Sequence, residues 1–178
     1  MRYDKRVQGA EMFMRSLKSL LVVLIFGLLS FGWSVRAQEA EYTIEFPSPM
    51  WRPVPRVEGG LSSEEYIYGD RNDGFLRIRK EIVDAGMTPS ELARRDREQN
   101  LRFRPGFVEG REERFAGRLN GVVVSYEFTN GGRPMAGIIY YLQANPRTIY
   151  VLHFTGMRDR LQRIRNQTDV IARSFQPR

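Results

Sequence analysis

Apolar residues recur at every second position through the middle of the chain. Between Gly121 and Thr129, Val122, Val124, Tyr126 and Phe128 share one side, the period of a strand with one buried face. Asn130-Gly131-Gly132 is hairpin chemistry leading into a second run, Met135 to Gln143. A turn at Asn145-Pro146 opens a third, Thr148 to Thr155, which holds Ile149-Tyr-Val-Leu-His-Phe154. Three strands joined by tight turns predict an antiparallel meander. Phe107 to Phe115, before them, is strongly charged and suits an exposed strand. Phe75 to Val83 places Leu76, Ile78 and Ile82 on one face and Arg77, Arg79 and Glu81 on the other. Tyr42, Ile44 and Phe46 alternate in a further half-buried strand. Pro47, Pro49, Pro53 and Pro55 stop it and stiffen the next stretch, with Trp51 among them as a packing anchor. Gly59-Gly60 reads as a break, Glu64 to Tyr68 as a short strand, and Asp70 to Gly74 as a turn.

Two segments have helical character instead. Thr88-Pro89-Ser90-Glu91 combines a capping threonine, a proline at the first helical position and a glutamate that can complete a capping box. The helix should run to about Arg102 and stop before Pro105-Gly106. Its few apolar residues (Leu92, Ala93, Leu101) predict a mostly wet helix over an edge of the sheet. From Met157 to Arg173, Met157, Leu161, Ile164, Thr168, Ile171 and Ala172 fall on one stripe that Phe175 continues. Arg158, Arg163, Arg165, Asp169 and Arg173 lie away from it, so this helix should cover a sheet face. The fold class expected is α+β, a central antiparallel sheet packed with helices.

The run Leu20 to Phe31 departs from both periods because it is apolar throughout. It is shorter than the about 20 residues that span a bilayer. Arg15 and Lys18 precede it, and Val35-Arg36-Ala37 supplies small residues at a cleavage site. Residues 1–37 therefore read as a secretory signal peptide, with an uncleaved anchor as the alternative. Met14 begins an export signal of ordinary length, so residues 1–13 read as an over-called start. Residues 38–178 are expected to form a single domain in the periplasm or outside the cell.

Charge follows from that division. Of 28 basic and 21 acidic residues, six basic and two acidic belong to residues 1–37, leaving the remainder a surplus of three. Acids and bases are interspersed there, and so small a surplus gives no reason to expect nucleic acid. A membrane is expected only through the leader, if it stays. The absence of cysteine excludes disulfides, thiolate nucleophiles, cysteine metal sites and a lipidated N-terminus.

No catalytic constellation emerges. His153, the lone histidine, sits in the most apolar strand beside Ile149 and Val151, where a packed ring is expected. Glu64-Glu65 and Glu112-Glu113 are adjacent on strands and so point to opposite faces; a solvated surface is expected for both. Gly59-Gly60 and Gly131-Gly132 lack the strand–turn–helix setting of a phosphate cradle. Asp70, Asn72, Asp73 and Gly74 lack calcium-loop spacing, and Asn166-Gln-Thr168 falls in a helix. One group is sharper: Arg94, Arg95, Arg97, Arg102 and Arg104 crowd the first helix and its exit beside Phe103 and Phe107. Such a group can hold an acidic partner, although Asp96, Glu98, Glu109, Glu112 and Glu113 are near enough to neutralise it.

The order of elements resembles the PsbP/DcrB-type domain. The similar features are the opening Ile44-Glu-Phe-Pro47, the nearby Trp51, the capped helix at Thr88-Pro-Ser-Glu-Leu92, the antiparallel run and the ending Ile171-Ala-Arg-Ser-Phe175. Together they cover most of residues 41–176. The resemblance implies a non-enzymatic binding or accessory domain; no cofactor is expected. No lysine-rich docking surface of the photosynthetic branch is present. The expected function is an exported accessory protein of the cell envelope with a protein partner. A small-ligand or lipid carrier with an apolar cavity is the alternative, followed by a hydrolase with an unrecognised site.

Overall fold

The computed structural model describes residues 41–58 and 61–178; the expected signal peptide and the Gly59-Gly60 break lie outside them. The chain runs through β1 (Tyr42–Thr43), β2 (Trp51–Glu58), β3 (Leu61–Tyr68), β4 (Gly74–Ile82), α1 (Pro89–Gln99) and a 3-10 turn (Leu101–Phe103). It continues through β5 (Val108–Ala116), β6 (Asn120–Asn130), β7 (Arg133–Asn145), β8 (Thr148–Met157), α2 (Arg158–Arg163), α3 (Arg165–Ser174) and β9 (Gln176–Pro177). Seven strands form one antiparallel sheet in the order β2-β3-β4-β8-β7-β6-β5. The meander β6-β7-β8 lies within it as the alternation predicts. Gly131 and Gly132 both have positive φ, the two-residue turn that matches the twist of a hairpin.

Both faces of the sheet are packed. On the first face, Leu76, Ile78, Ile138, Tyr140, Leu142, Tyr150, Leu152 and Phe154 meet Leu161, Ile164, Ile171, Ala172 and Phe175 of the C-terminal segment. On the second, Val122, Val124, Tyr126, Phe128, Ile139, Tyr141, Ile149 and Val151 meet Leu92, Ala93 and Leu101. Helix α1 therefore lies over β6 and β7, not over an edge as its few apolar residues predict. Three apolar side chains suffice because they fall on one side and enter a face already rich in aromatics.

Other elements differ in detail. The C-terminal helix is two helices, broken at Ile164, whose φ of −104° and ψ of 11° leave the helical region. The break brings the Ile164 side chain over Gly74, where a Cβ would stand 2.8 Å from its terminal methyl carbon. The stripe from Leu161 to Phe175 is nonetheless buried as its spacing implies. Pro53 and Pro55 do not interrupt β2, which runs along the edge of the sheet, where a residue without an N–H is tolerated. Ile82, expected to face the core, ends its strand 70% exposed.

The opening residues do not join the main sheet. Tyr42 and Thr43 pair with Pro177 and Gln176, and Arg178 N–H donates to the carbonyl of Glu41. Tyr42, Ile44 and Phe46 still face one way, against the first core. Tyr42 stacks near Phe175 at 5.0 Å, and Phe46 near Tyr66 at 4.6 Å. Trp51 is the anchor its position predicts: it is buried, contacts Phe46, Tyr68 and Phe154, and donates its indole N–H to Gln167.

Candidate functional site

The arginine group is placed by the capped helix. Thr88 Oγ1 accepts from Glu91 N–H while the Glu91 carboxylate accepts from Thr88 N–H, closing the expected box. Those hydrogen bonds hold the Glu91 carboxyl below its usual range. From this start Leu92, Ala93 and Asp96 turn to the sheet, and the arginines are spread around the rest of the helix. They do not converge. Arg95 leans toward Glu81, Arg97 pairs with Glu109 of β5, and Arg94 is exposed with no ion pair among the described residues.

The exit of the helix is different. Leu101 is buried, which turns the next residue outward, and Phe103 is 70% exposed. Arg102 lies over the Phe103 ring at 5.2 Å, while Arg104 folds back over Phe128 at 4.6 Å and Tyr126 at 5.7 Å. Neither guanidinium has a carboxylate partner among the described residues. The segment is fixed, because Thr129 N–H donates to the carbonyl of Pro105 at 2.7 Å. Val108, at the start of β5, is 58% exposed. Arg102, Phe103 and Arg104 thus form a basic, aromatic knuckle beside the β6–β7 turn.

Beneath α1 the second face carries a polar layer. Asp96 accepts from Arg79 at 2.8 Å and from the Tyr141 hydroxyl at 3.2 Å. Burial, and then Asp96, push the Tyr141 hydroxyl pKa upward. His153 Nε2 and Tyr126 Oη share a hydrogen bond of 2.7 Å. Burial holds the imidazole down to about 3, helped by Arg104, Arg79 and Arg77. Burial also pushes Tyr126 up to about 12. Tyr126 can lie there because Gly137 faces it across the strands, where any Cβ would overlap the ring. His153 is therefore a neutral packed histidine with one satisfied nitrogen, as its apolar strand suggests. Among the described residues no carboxylate hydrogen-bonds this imidazole as a catalytic triad would require.

The carboxylate pairs split as strand geometry requires, but Glu64-Glu65 is not the solvated pair expected. Glu65 is fully buried and holds Arg77 at 2.8 Å on the second face, with Arg71 at 3.4 Å. Glu64, on the first face, accepts from the hydroxyls of Tyr42 at 2.6 Å and Tyr66 at 2.8 Å. These bonds anchor the opening strand to the sheet; burial, then Glu64, raises both hydroxyls, Tyr66 to about 12. Glu112 and Glu113 are exposed on β5. The Asp70 carboxylate closes the β3–β4 turn by accepting from Asn72 and Asp73 N–H. Among the described residues no three metal-ligating side chains converge.

A groove of about 320 Å³ opens on the first face, between α2 and the β5 edge. Ala136, Ile138 and Leu161 form its floor, and Ser125, Glu127, Arg158, Gln162 and Arg165 line its sides. Its rim is shaped by a bulge in β5 between Glu109 and Glu112. Gly110 is required there, since a Cβ would stand 2.6 Å from the carbonyl oxygen of Ser125. Sequence reasoning missed this groove, because its walls come from α2, α3, β5, β6 and β7, and no short motif joins them. A glycine inside a strand pattern was the one available signal.

No protein-family model matches the chain, and no curated protein matches it. Solved structures do. LpqN of Mycobacterium tuberculosis, described as involved in cell envelope biogenesis, is 15% identical over 80% of this chain and 88% of its own, with a TM-score of 0.52. Cyanobacterial PsbP from Synechocystis is 14% identical over 83% and 99%, with a TM-score of 0.52. A Pseudomonas aeruginosa protein of unknown function is 11% identical over 78% and 99%, at 0.50. None of the three is described as an enzyme. At these identities the likeness is one of architecture, and the architecture is that of the PsbP-type fold, as the sequence resemblance implied.

Proposed function

We propose that the chain is an exported, non-catalytic accessory protein of the cell envelope that holds a protein partner at the Arg102–Phe103–Arg104 knuckle. The observation that carries this reading is the 70% exposure of Phe103 between arginines that have no acid partner among the described residues. A large ring left in water on a fixed segment is a ready anchor for an interface, and arginine beside it suits an acidic partner. Of the five arginines singled out in sequence, Arg102 and Arg104 belong to this surface; Arg95 and Arg97 are engaged by Glu81 and Glu109. The leader-like sequence of residues 1–37 supports export, and the envelope role described for LpqN, on the same fold, is consistent with it.

Crosslinking of the protein in its native envelope tests the reading. A double variant, Arg102→Glu with Phe103→Ala, should lose the crosslinked partner, whereas Arg94→Glu should keep it. Capture unchanged by the double variant removes the knuckle as the interface. Intact chain in the soluble cytosolic fraction removes the compartment.

A further inference from the structure

The groove on the first face is lined by equal numbers of acids and arginines, but one arginine is left without an ion pair among the described residues. Four charged side chains line it: Glu109, Glu127, Arg158 and Arg165. Glu109 is taken by Arg97 from the other side of the sheet, and Glu127 by Arg158 at 3.0 Å. Arg165 remains, with no carboxylate partner among the described residues. The floor beside it is apolar. Leu161 is 1% and Ile138 6% exposed, and Ala136 packs against the same core. The groove thus offers one guanidinium without an ion pair among the described residues, beside a small hydrocarbon surface, in a volume at the low end of small-molecule sites.

We infer that this groove binds a small anionic amphiphile, its acid group on Arg165 and its apolar body over Ala136, Ile138 and Leu161. Arginine is suited to the head, since its fork can meet a carboxylate or a phosphate with two parallel hydrogen bonds. The body is limited by the space to a single short chain or one ring system. The aromatics that could have lined a larger cavity under the helices, Tyr140, Tyr150 and Phe154 among them, are buried in the first core. The β5 bulge follows Val108 and Glu109 at the rim of the groove.

Backbone amide shifts during titration with decanoate, decyl phosphate and decanol test the site. Decanoate should shift Ser125, Ala136, Ile138, Leu161 and Gln162 and saturate at one equivalent. Decanol, which keeps the chain without the acid, should bind about tenfold more weakly, the worth of one charge-assisted hydrogen bond. Arg165→Glu, on an exposed helical position, should weaken decanoate by at least that factor and leave decanol unchanged. Gln162→Trp, also exposed, should block both. A preference between decanoate and decyl phosphate identifies the head group. Equal affinity for decanoate and decanol, an unchanged Arg165→Glu, or shifts that do not saturate or fall outside the groove would each overturn the site. Phe103→Ala leaves the groove intact and should not alter decanoate binding, so this site and the partner-binding knuckle stand or fall separately.

Discussion

Single residues here act mainly through what they satisfy. Thr88 caps α1, and Thr88→Ala should cost about 1 kcal/mol of stability in urea unfolding; an unchanged midpoint would show that the box adds nothing. His153 acts through the charge it does not carry. Its folded pKa, about 3, lies below the ordinary imidazole value, so the unfolded chain binds the extra proton between those limits. Its contribution is therefore complete above about pH 6.5 and falls by about 1.4 kcal/mol per pH unit on acidification toward 3. His153→Gln keeps a polar partner for Tyr126 and should flatten that part of the stability–pH curve relative to the parent. An identical slope in the two proteins would mean that the ring is protonated in the fold. The role of His153 was legible because a histidine on an apolar strand face has few alternatives to packing. Glu65 was not, since nothing local shows that Arg77 and Arg71 close over it.

At the scale of elements, period carries the information. Strands β6, β7 and β8 were readable because alternation and turn residues agree. Which arginines of α1 would share a surface was not legible, because closeness in sequence is not closeness in space: consecutive helical residues point about 100° apart, so Arg94 and Arg95 diverge, and Arg97 meets Glu109, one of the acids near enough to neutralise it. Helix α3 shows the converse, with a stripe that survives the break at Ile164 because burial depends on side, not on continuity. Ile171, fully buried on that stripe, should cost about 3 kcal/mol when changed to alanine. Its neighbour Val170 is 46% exposed, and Val170→Ala should stay within about 0.5 kcal/mol. Thermal unfolding of the pair reads the contrast, and equal losses would contradict the packing described.

For the whole molecule, the first face is sealed by α2 and α3 together with the opening segment. Tyr42, Ile44 and Phe46 reach over the same core as Tyr150 and Phe175, and Glu45 N–H donates to Ser174. A variant lacking residues 41–46 should unfold at lower temperature and lose amide protection in α3 before the central strands. Retention of full protection in α3 would show that the helix seats without the segment. None of this long-range closure was written in the local pattern, where Tyr42 to Phe46 reads as one more strand of the sheet. What redirects it is pairing with Gln176 and Pro177 at the other end of the sequence.

That pairing also gives the domain a direction. Glu41 and Arg178 meet beside Lys80 and the β5–β6 turn, while the knuckle stands beside the β6–β7 turn, at the opposite end of the strands. A strand of ten residues extends about 33 Å. A linkage made through Arg178, or one that enters the described fold at Glu41, therefore reaches it at the end of the strands opposite Phe103.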